Sequence, residues 1–291
     1  MIPGAGHRAG SDAGIGSGIP VALSVAGSDC SAGAGIQADL KTFSALGVFG
    51  LTAVTCVVSE TSRVVRGVHA VPSDLVADQV SLMLGAFPVG AVKTGMLFSA
   101  EHVEAVLASL KDYEGPLVVD PVMVASTGDP LVEEAAVEVY RRRLVPKATL
   151  ITPNLDEAAV LLEEPVVRDE AALQGVARRL VGRYGCAVLL KGGHLRGERA
   201  VDLLALADGS VHRHEAPFLR GFSTHGTGCT YSAAVAAGLA CGQDLPSSVS
   251  RAKEFVTEAI RTSLRWEGEG GEIDAMNHAL SGEDCLRRGS R

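Results

Sequence analysis

The chain lacks any run of 18 uninterrupted apolar residues, so no membrane-spanning helix is expected. It also lacks a basic excess. Lys and Arg total 26 against 34 Asp and Glu, a formal charge of -8, which argues against a nucleic-acid partner. The six cysteines, at 30, 56, 186, 229, 241 and 285, form no Cys-x-x-Cys pair, and neither a structural zinc site nor a disulfide framework is expected. The Gly-, Ser- and Ala-rich opening has no basic cluster followed by an apolar segment. It does not read as a secretion signal, and the expected location is cytoplasmic. Two common phosphate motifs are missing as well: no Gly-x-x-x-x-Gly-Lys-Ser/Thr loop occurs, and the glycines at 27, 33 and 35 do not have dinucleotide-fold spacing.

What is present points to a globular core. Hydrophobic residues make up 47% and charged residues 21% of 291 residues. Residues 1–20 predict a flexible tail, because glycine is costly to order and little there can be buried. Short apolar runs at 21–26, 51–58, 89–94, 117–119, 150–151 and 187–190 predict strands. Helical spacing over 36–46, 73–84, 103–110, 131–144, 155–162, 171–181, 229–241 and 249–264 predicts helices between them. A hairpin is expected around Asp208-Gly209. This alternation predicts an α/β domain with a mostly parallel sheet covered on both faces, spanning 21–268 without an internal boundary. Residues 269–291 predict a loosely held tail.

Open sheets of this kind bind ligands at the carboxyl ends of their strands. Those ends carry Gly27-Ser28-Asp29, Lys93-Thr94-Gly95, Asp120-Pro121, Thr152-Pro153-Asn154 and Lys191-Gly192-Gly193. The sharpest segment is Thr224-His225-Gly226-Thr227-Gly228-Cys229-Thr230, just ahead of an apolar helix. Successive N–H groups at Gly226, Thr227 and Gly228 would make an anion hole for phosphate. Cys229 in the first turn, where thiolate is stabilised, would accept a proton from an attacking alcohol. The competing reading is a tight helix start with a buried thiol. Asp120 could anchor Mg2+, Asn154 and Glu157 could orient its water, and Lys191 could neutralise phosphate charge. Each of these could instead be a surface or capping residue. Asp39, one turn into a helix, reads as a substrate contact or as an exposed carboxylate.

In sum the segments AGSDCSAGAGIQADLKTFSALGVFG, KTGML, VVDPVMVASTGDPL, LITPNLDEA, VLLKGGHL and THGTGCTYSAAVAAG resemble hydroxymethylpyrimidine/phosphomethylpyrimidine kinases of thiamine biosynthesis, in the ribokinase-like superfamily. The likeness runs in family order over about 21–264. It implies a ribokinase-like three-layer fold, ATP and Mg2+ as cofactors, and a homodimer. It also implies phosphorylation of 4-amino-5-hydroxymethyl-2-methylpyrimidine and then of its monophosphate. By the same resemblance Gly27, Asp39, Met96 and Val122 meet substrate and Cys229 is catalytic. Asp120, Asn154, Glu157 and Lys191 take nucleotide, phosphate or metal roles, while His225 is expected to orient its loop.

Two departures stand out. Ser59-Glu60-Thr61-Ser62 replaces a common Ala-Gln-Asn-Thr, so Glu60 occupies the place of a ring-reading glutamine. Gly268-Glu269-Gly270-Gly271-Glu272 replaces a C-terminal Gly-His-Gly-Pro run. Glu60 keeps open a pyridoxal-type vitamin kinase. A catalytically inactive, nucleotide-regulated binding protein is a further alternative, opposed by the intact GTGC segment with Asp120 and Lys191.

Overall fold

The computed structural model describes residues 18–123, 134–193, 198–222, 224–268 and 271–279. The first half runs β1 (Val21–Asp29), α1 (Gly35–Ala45), β2 (Phe49–Thr61), β3 (Val64–Ala70), α2 (Ser73–Ala86), β4 (Val89–Thr94), α3 (Ala100–Ser109), β5 (Leu117–Val119) and α4 (Glu134–Val139). The second half runs β6 (Leu150–Ile151), α5 (Leu155–Leu162), α6 (Leu173–Tyr184), β7 (Ala187–Lys191), β8 (Arg199–Ala205), β9 (Val211–Pro217), α7 (Thr227–Ala240), α8 (Leu245–Arg261), β10 (Leu264–Gly268) and β11 (Gly271–Ala275).

Nine strands form one sheet in the order β3-β2-β1-β4-β5-β6-β7-β8-β9. The pairs from β2 through β7 are parallel, and β3, β8 and β9 add antiparallel edges. The inner strands are largely apolar on both faces, because each face has its own helical layer, with buried polar residues such as Ser24 and Lys93 among them. Val21, Leu23 and Val25 of β1 pack into one core with Val92, Val119, Ile151 and Val188. Ala22, Ala91, Val118, Leu150 and Leu189, one residue out of step, pack into the other with α7 and α8. That period of two is the pleat itself. The structure thus has the three-layer α/β architecture expected from the sequence.

Helix α7 shows why a small-residue helix belongs here. Every residue from Thr230 through Ala237 is buried, because α7 is enclosed by the sheet on one side and by α1 and α8 on the others. Its first turn is thereby carried to the carboxyl ends of β1, β4 and β5.

The structure adds strands to those expected. Strand β3 was not expected: it is an edge strand whose side chains are nearly all exposed, so it carries no alternating burial pattern. Within the tail expected over 269–291, a strand that was not expected forms at Gly271–Ala275. Strand β11 pairs with β10, and Met276 and His278 are buried. Residues 1–17 of the expected N-terminal tail, 131–133 of the expected 131–144 helix, and 280–291 lie outside the described residues. No helix among the described residues is long and apolar enough to cross a membrane.

Candidate active site

A cleft of about 1090 Å3 opens at the carboxyl ends of the parallel strands. It exceeds the usual size for one small ligand and has room for two side by side. Gly226, at φ 78°, starts α7, and any Cβ there would collide with the Gly33 carbonyl oxygen. Only glycine lets the two loops touch at this point. No side chain caps the helix. Its first turn, with Gly226, Thr227, Gly228 and Cys229, lines the cleft. A Cβ on Gly228 would lie 3.1 Å from Lys191 Nζ and 3.6 Å from Asp120 Oδ2, which fixes how closely the turn approaches that ion pair.

Lys191, ending β7, donates to Asp120 Oδ1 at 3.0 Å. Thr152 donates to the same oxygen at 2.8 Å, and Ser232 on α7 donates to Oδ2 at 3.3 Å. Burial works against charge on Asp120, but Lys191, Lys93 and Thr152 overcome it and hold the carboxyl below its ordinary range. Asn154 and Glu157 form a reciprocal capping box at the start of α5. Asn154 Oδ1 accepts from Glu157 N at 2.9 Å, and Glu157 Oε2 accepts from Asn154 N at 2.8 Å. Both residues also line the cleft. Burial pushes Glu157 up to about 7, with Lys191 opposing and Asp120 adding to the rise.

Cys229 is half-buried at the cleft wall. The expectation of a stabilised thiolate is corrected here. Burial pushes the thiol up to about 11, outweighing the pull of Lys93 and of the Gly35 N–H. The resting group at neutral pH is therefore the thiol.

Gly27, Glu60, Met96 and Val122 line the β2 side of the cleft. Burial, then the nearby Asp29, raises the Glu60 carboxyl, and His225 partly offsets this. Asp39 departs from its expected place at the ligand. It is fully buried behind the wall, with both oxygens held by Lys93 Nζ at 2.7 and 2.9 Å and one by Ser24 Oγ at 2.5 Å.

The sequence pattern of the phosphomethylpyrimidine kinase family matches residues 29–274. The chain belongs to this family. It is 48% identical over 256 residues to hydroxymethylpyrimidine/phosphomethylpyrimidine kinase of Streptomyces coelicolor, covering 88% of this chain and 94% of that one. It is 45% identical over 268 residues to the thiamine biosynthesis bifunctional protein ThiED of Geobacter sulfurreducens. That match covers 91% of this chain but only 54% of the longer relative. Among solved structures, an ADP complex of Bacillus subtilis pyridoxal kinase superposes with a TM-score of 0.82 at 34% identity, covering 90% of this chain and 98% of that one. The fold is ribokinase-like, and the chain is a kinase of the phosphomethylpyrimidine kinase family.

Within this family site, two features escaped the sequence reading. Asp29 gathers its own loop, accepting from Ser31 N at 2.7 Å, Ser31 Oγ at 2.9 Å, Ala34 N at 2.8 Å and Gly33 N at 3.1 Å. His225 Nε2 joins it at 3.0 Å. Burial would raise Asp29, but these bonds, led by that of His225, hold it down to about 2. His225 is raised in turn by its bond to Asp29. The signal was the lone acid at the end of β1. At the β8 side, Lys253 donates to Asp202 Oδ2 at 2.7 Å, and Gly192 N donates to Oδ1 at 3.0 Å. An aspartate inside the apolar strand β8 was the cue there.

Proposed function

We propose that the chain transfers the terminal phosphoryl group of ATP to the hydroxymethyl oxygen of 4-amino-5-hydroxymethyl-2-methylpyrimidine, and then a second one to the resulting monophosphate. The observation that carries this reading is the convergence, in one cleft, of the uncapped α7 turn, the Asp120–Lys191 pair and Cys229. Phosphoryl transfer asks a protein mainly to position its reactants and to meet negative charge, and these groups supply both. In this reading the N–H groups of Gly226, Thr227 and Gly228 receive the moving phosphoryl oxygens, and Lys191 balances their charge. Asn154 lines the nucleotide side. Gly27, Glu60, Met96 and Val122 hold the ring so that its hydroxymethyl group faces Cys229. In a loose transition state the alcohol gives up its proton late. A neutral thiol cannot accept that proton, so in this reading Cys229 acts as acceptor in its thiolate form, the minor form at neutral pH for a group pushed up to about 11.

Among the described residues no group of three or more His, Cys, Asp or Glu side chains could hold a metal by itself. Asp120 and Glu157 are oxygen donors, and burial, with repulsion from Asp120 adding to it, leaves Glu157 raised to about 7. A divalent ion would relieve that repulsion, and the donor set suits Mg2+, which binds one or two carboxylates together with phosphate oxygens. When bound, Mg2+ would neutralise charge on the transferred group.

Product analysis of the folded protein with MgATP should give both mono- and diphosphorylated pyrimidine, and absence of both products would remove the substrate assignment. A second reading, a pyridoxal-type kinase, draws on the fold likeness to the Bacillus enzyme and on Glu60. A clear preference in kcat/KM for the pyrimidine over pyridoxal dismisses it. We further read the chain as a cytoplasmic homodimer. Exposed Val57, Val64, Val65 and Val68 on the β2–β3 edge support a second copy there. A monomeric mass in sedimentation would exclude it.

A further inference from the structure

The first turn of α7 must hold its N–H groups in a fixed place, yet it has no side-chain cap. A capping side chain ordinarily sets how a helix begins. Here Gly226 cannot carry one, because a Cβ would strike the Gly33 carbonyl. Something else must fix the turn. On one face Gly228 and Ser232, four residues apart, press on Lys191 and Asp120. Thr227 and Thr230, three apart, present another face, and the segment after β11 meets both. Thr227 Oγ1 donates to Met276 Sδ at 3.9 Å, and Thr230 Oγ1 hydrogen-bonds His278 Nε2 at 2.9 Å. Between them Asn277 N donates to the Ala259 carbonyl of α8 at 3.0 Å. Met276, His278 and Thr230 are all buried.

We propose that Met276, Asn277 and His278 are positioning residues that clamp the phosphoryl-binding turn of α7 from the side opposite the Asp120–Lys191 pair. The inference rests on the phosphoryl-transfer reading above. A segment anchored to α8 and touching both threonines holds α7 in depth and in rotation. Burial, with Lys41 nearby, pushes His278 down to about 4, so its ring stays neutral and its bond to Thr230 persists across the working pH range. None of the three side chains lines the cleft, so none touches ligand.

The test uses the full chain with His278→Leu, His278→Gln, Thr230→Val and the double variant His278→Leu/Thr230→Val. Two readouts are taken: amide hydrogen exchange over residues 229–233 without ligand, and kcat and KM with the pyrimidine. Loss of one buried hydrogen bond should speed exchange about ten-fold and lower kcat about ten-fold, with KM for the alcohol held within about two-fold. Gln, which can place a polar atom where Nε2 sits, should recover most of the loss. The double variant should be no worse than either single one. Unchanged exchange and kcat in His278→Leu would overturn the clamp, as would additive losses in the double variant or no recovery by Gln. Should His278→Leu fail to fold, the near-isosteric Thr230→Val decides alone. If the wild type does not phosphorylate the pyrimidine, the substrate reading fails, while the exchange data still decide the clamp.

Discussion

Two lysine–aspartate pairs stand at strand ends of the same sheet, and they differ in what faces them. Lys93 at β4 grips both oxygens of Asp39, and both side chains are 0% exposed. Lys191 at β7 meets one oxygen of Asp120, with exposures of 15% and 2%, and its ammonium looks into the cleft. An ammonium offers three donors. The sealed pair spends its polar capacity on itself, and the pull of Asp39 outweighs desolvation to keep Lys93 charged. The open pair keeps capacity for a ligand. Identical chemistry serves architecture in one place and phosphate in the other, and accessibility separates them.

The largest expected effects break that comparison from both sides. Asp120→Asn should lower kcat by about 10³-fold, the scale of losing a preorganised charge partner in a reacting site, with the melting temperature nearly kept. Asp39→Ala should do the reverse. It strands a buried ammonium and should cost about 3–5 kcal/mol of stability. Replacing both members, as in Asp39→Leu/Lys93→Met, should recover most of that loss, because an apolar pair of similar volume removes the stranded charge. Denaturant melts and single-turnover rates on the same samples separate the outcomes. A catalytic loss in the refolded double variant would show that the sealed pair acts on the cleft after all.

Next comes Cys229→Ser, expected to lower kcat about 10²-fold with the fold intact, if the sulfur takes the alcohol's proton. Since the thiol rests near 11, kcat/KM of the wild type should keep climbing above pH 8, and the serine variant should lose that limb. Near-wild-type rates would leave Cys229 as packing beside the anion hole.

The same contrast explains what the sequence could and could not disclose. Strands β4 and β5 were legible to the residue, because strands buried on both faces read as short apolar runs, closed in β4 by Lys93-Thr94 and after β5 by Asp120. So were the ligand-bearing strand ends, since Asp120, Asn154 and Lys191 interrupt such runs. Strands β3 and β10 were not, because their side chains are almost wholly exposed and nothing in their composition requires a sheet. The partner of a charge was equally hidden. Asp39 and Lys93 are 54 residues apart, and only tertiary packing decides that they neutralise each other behind the wall. Cys229 shows the same limit: the helix start was readable, but the desolvation that keeps its thiol protonated was not.

A smaller effect concerns Glu157. Its carboxyl, at about 7 in the folded protein, lies above its unfolded value, so the native state binds the extra proton. Stability should therefore fall as pH rises from the unfolded pKa, about 4.3, through 7, and level off above that. The difference between wild type and Glu157→Gln isolates this contribution. The variant should gain relative to the wild type on going from pH 5 to pH 8, and Mg2+ with nucleotide should narrow the gap. A pH-independent difference would mean that Glu157 ionises normally and that its role is the capping box alone.

The smallest expected effect, and the one that bears on substrate choice, lies at Glu60. An ionised carboxylate only accepts hydrogen bonds, whereas glutamine and a protonated carboxylic acid can also donate. Burial and Asp29 raise the Glu60 carboxyl, so toward lower pH it offers the donor and acceptor that a glutamine would. Replacing it by Gln should then matter little at low pH and more as pH rises and the wild-type side chain ionises. One hydrogen bond of ordinary strength sets the scale, so kcat/KM for the neutral aminopyrimidine should improve by about two- to ten-fold at the alkaline end, with nucleotide affinity unchanged. If the wild type instead binds a ring protonated on nitrogen, its carboxylate is the better partner, and Glu60→Gln should lose activity across the range. Parallel profiles for pyrimidine and pyridoxal, in both proteins, distinguish these cases. Profiles that differ in neither height nor shape would remove Glu60 from ring reading and leave selectivity to Gly27, Met96 and Val122, whose apolar contacts do not titrate.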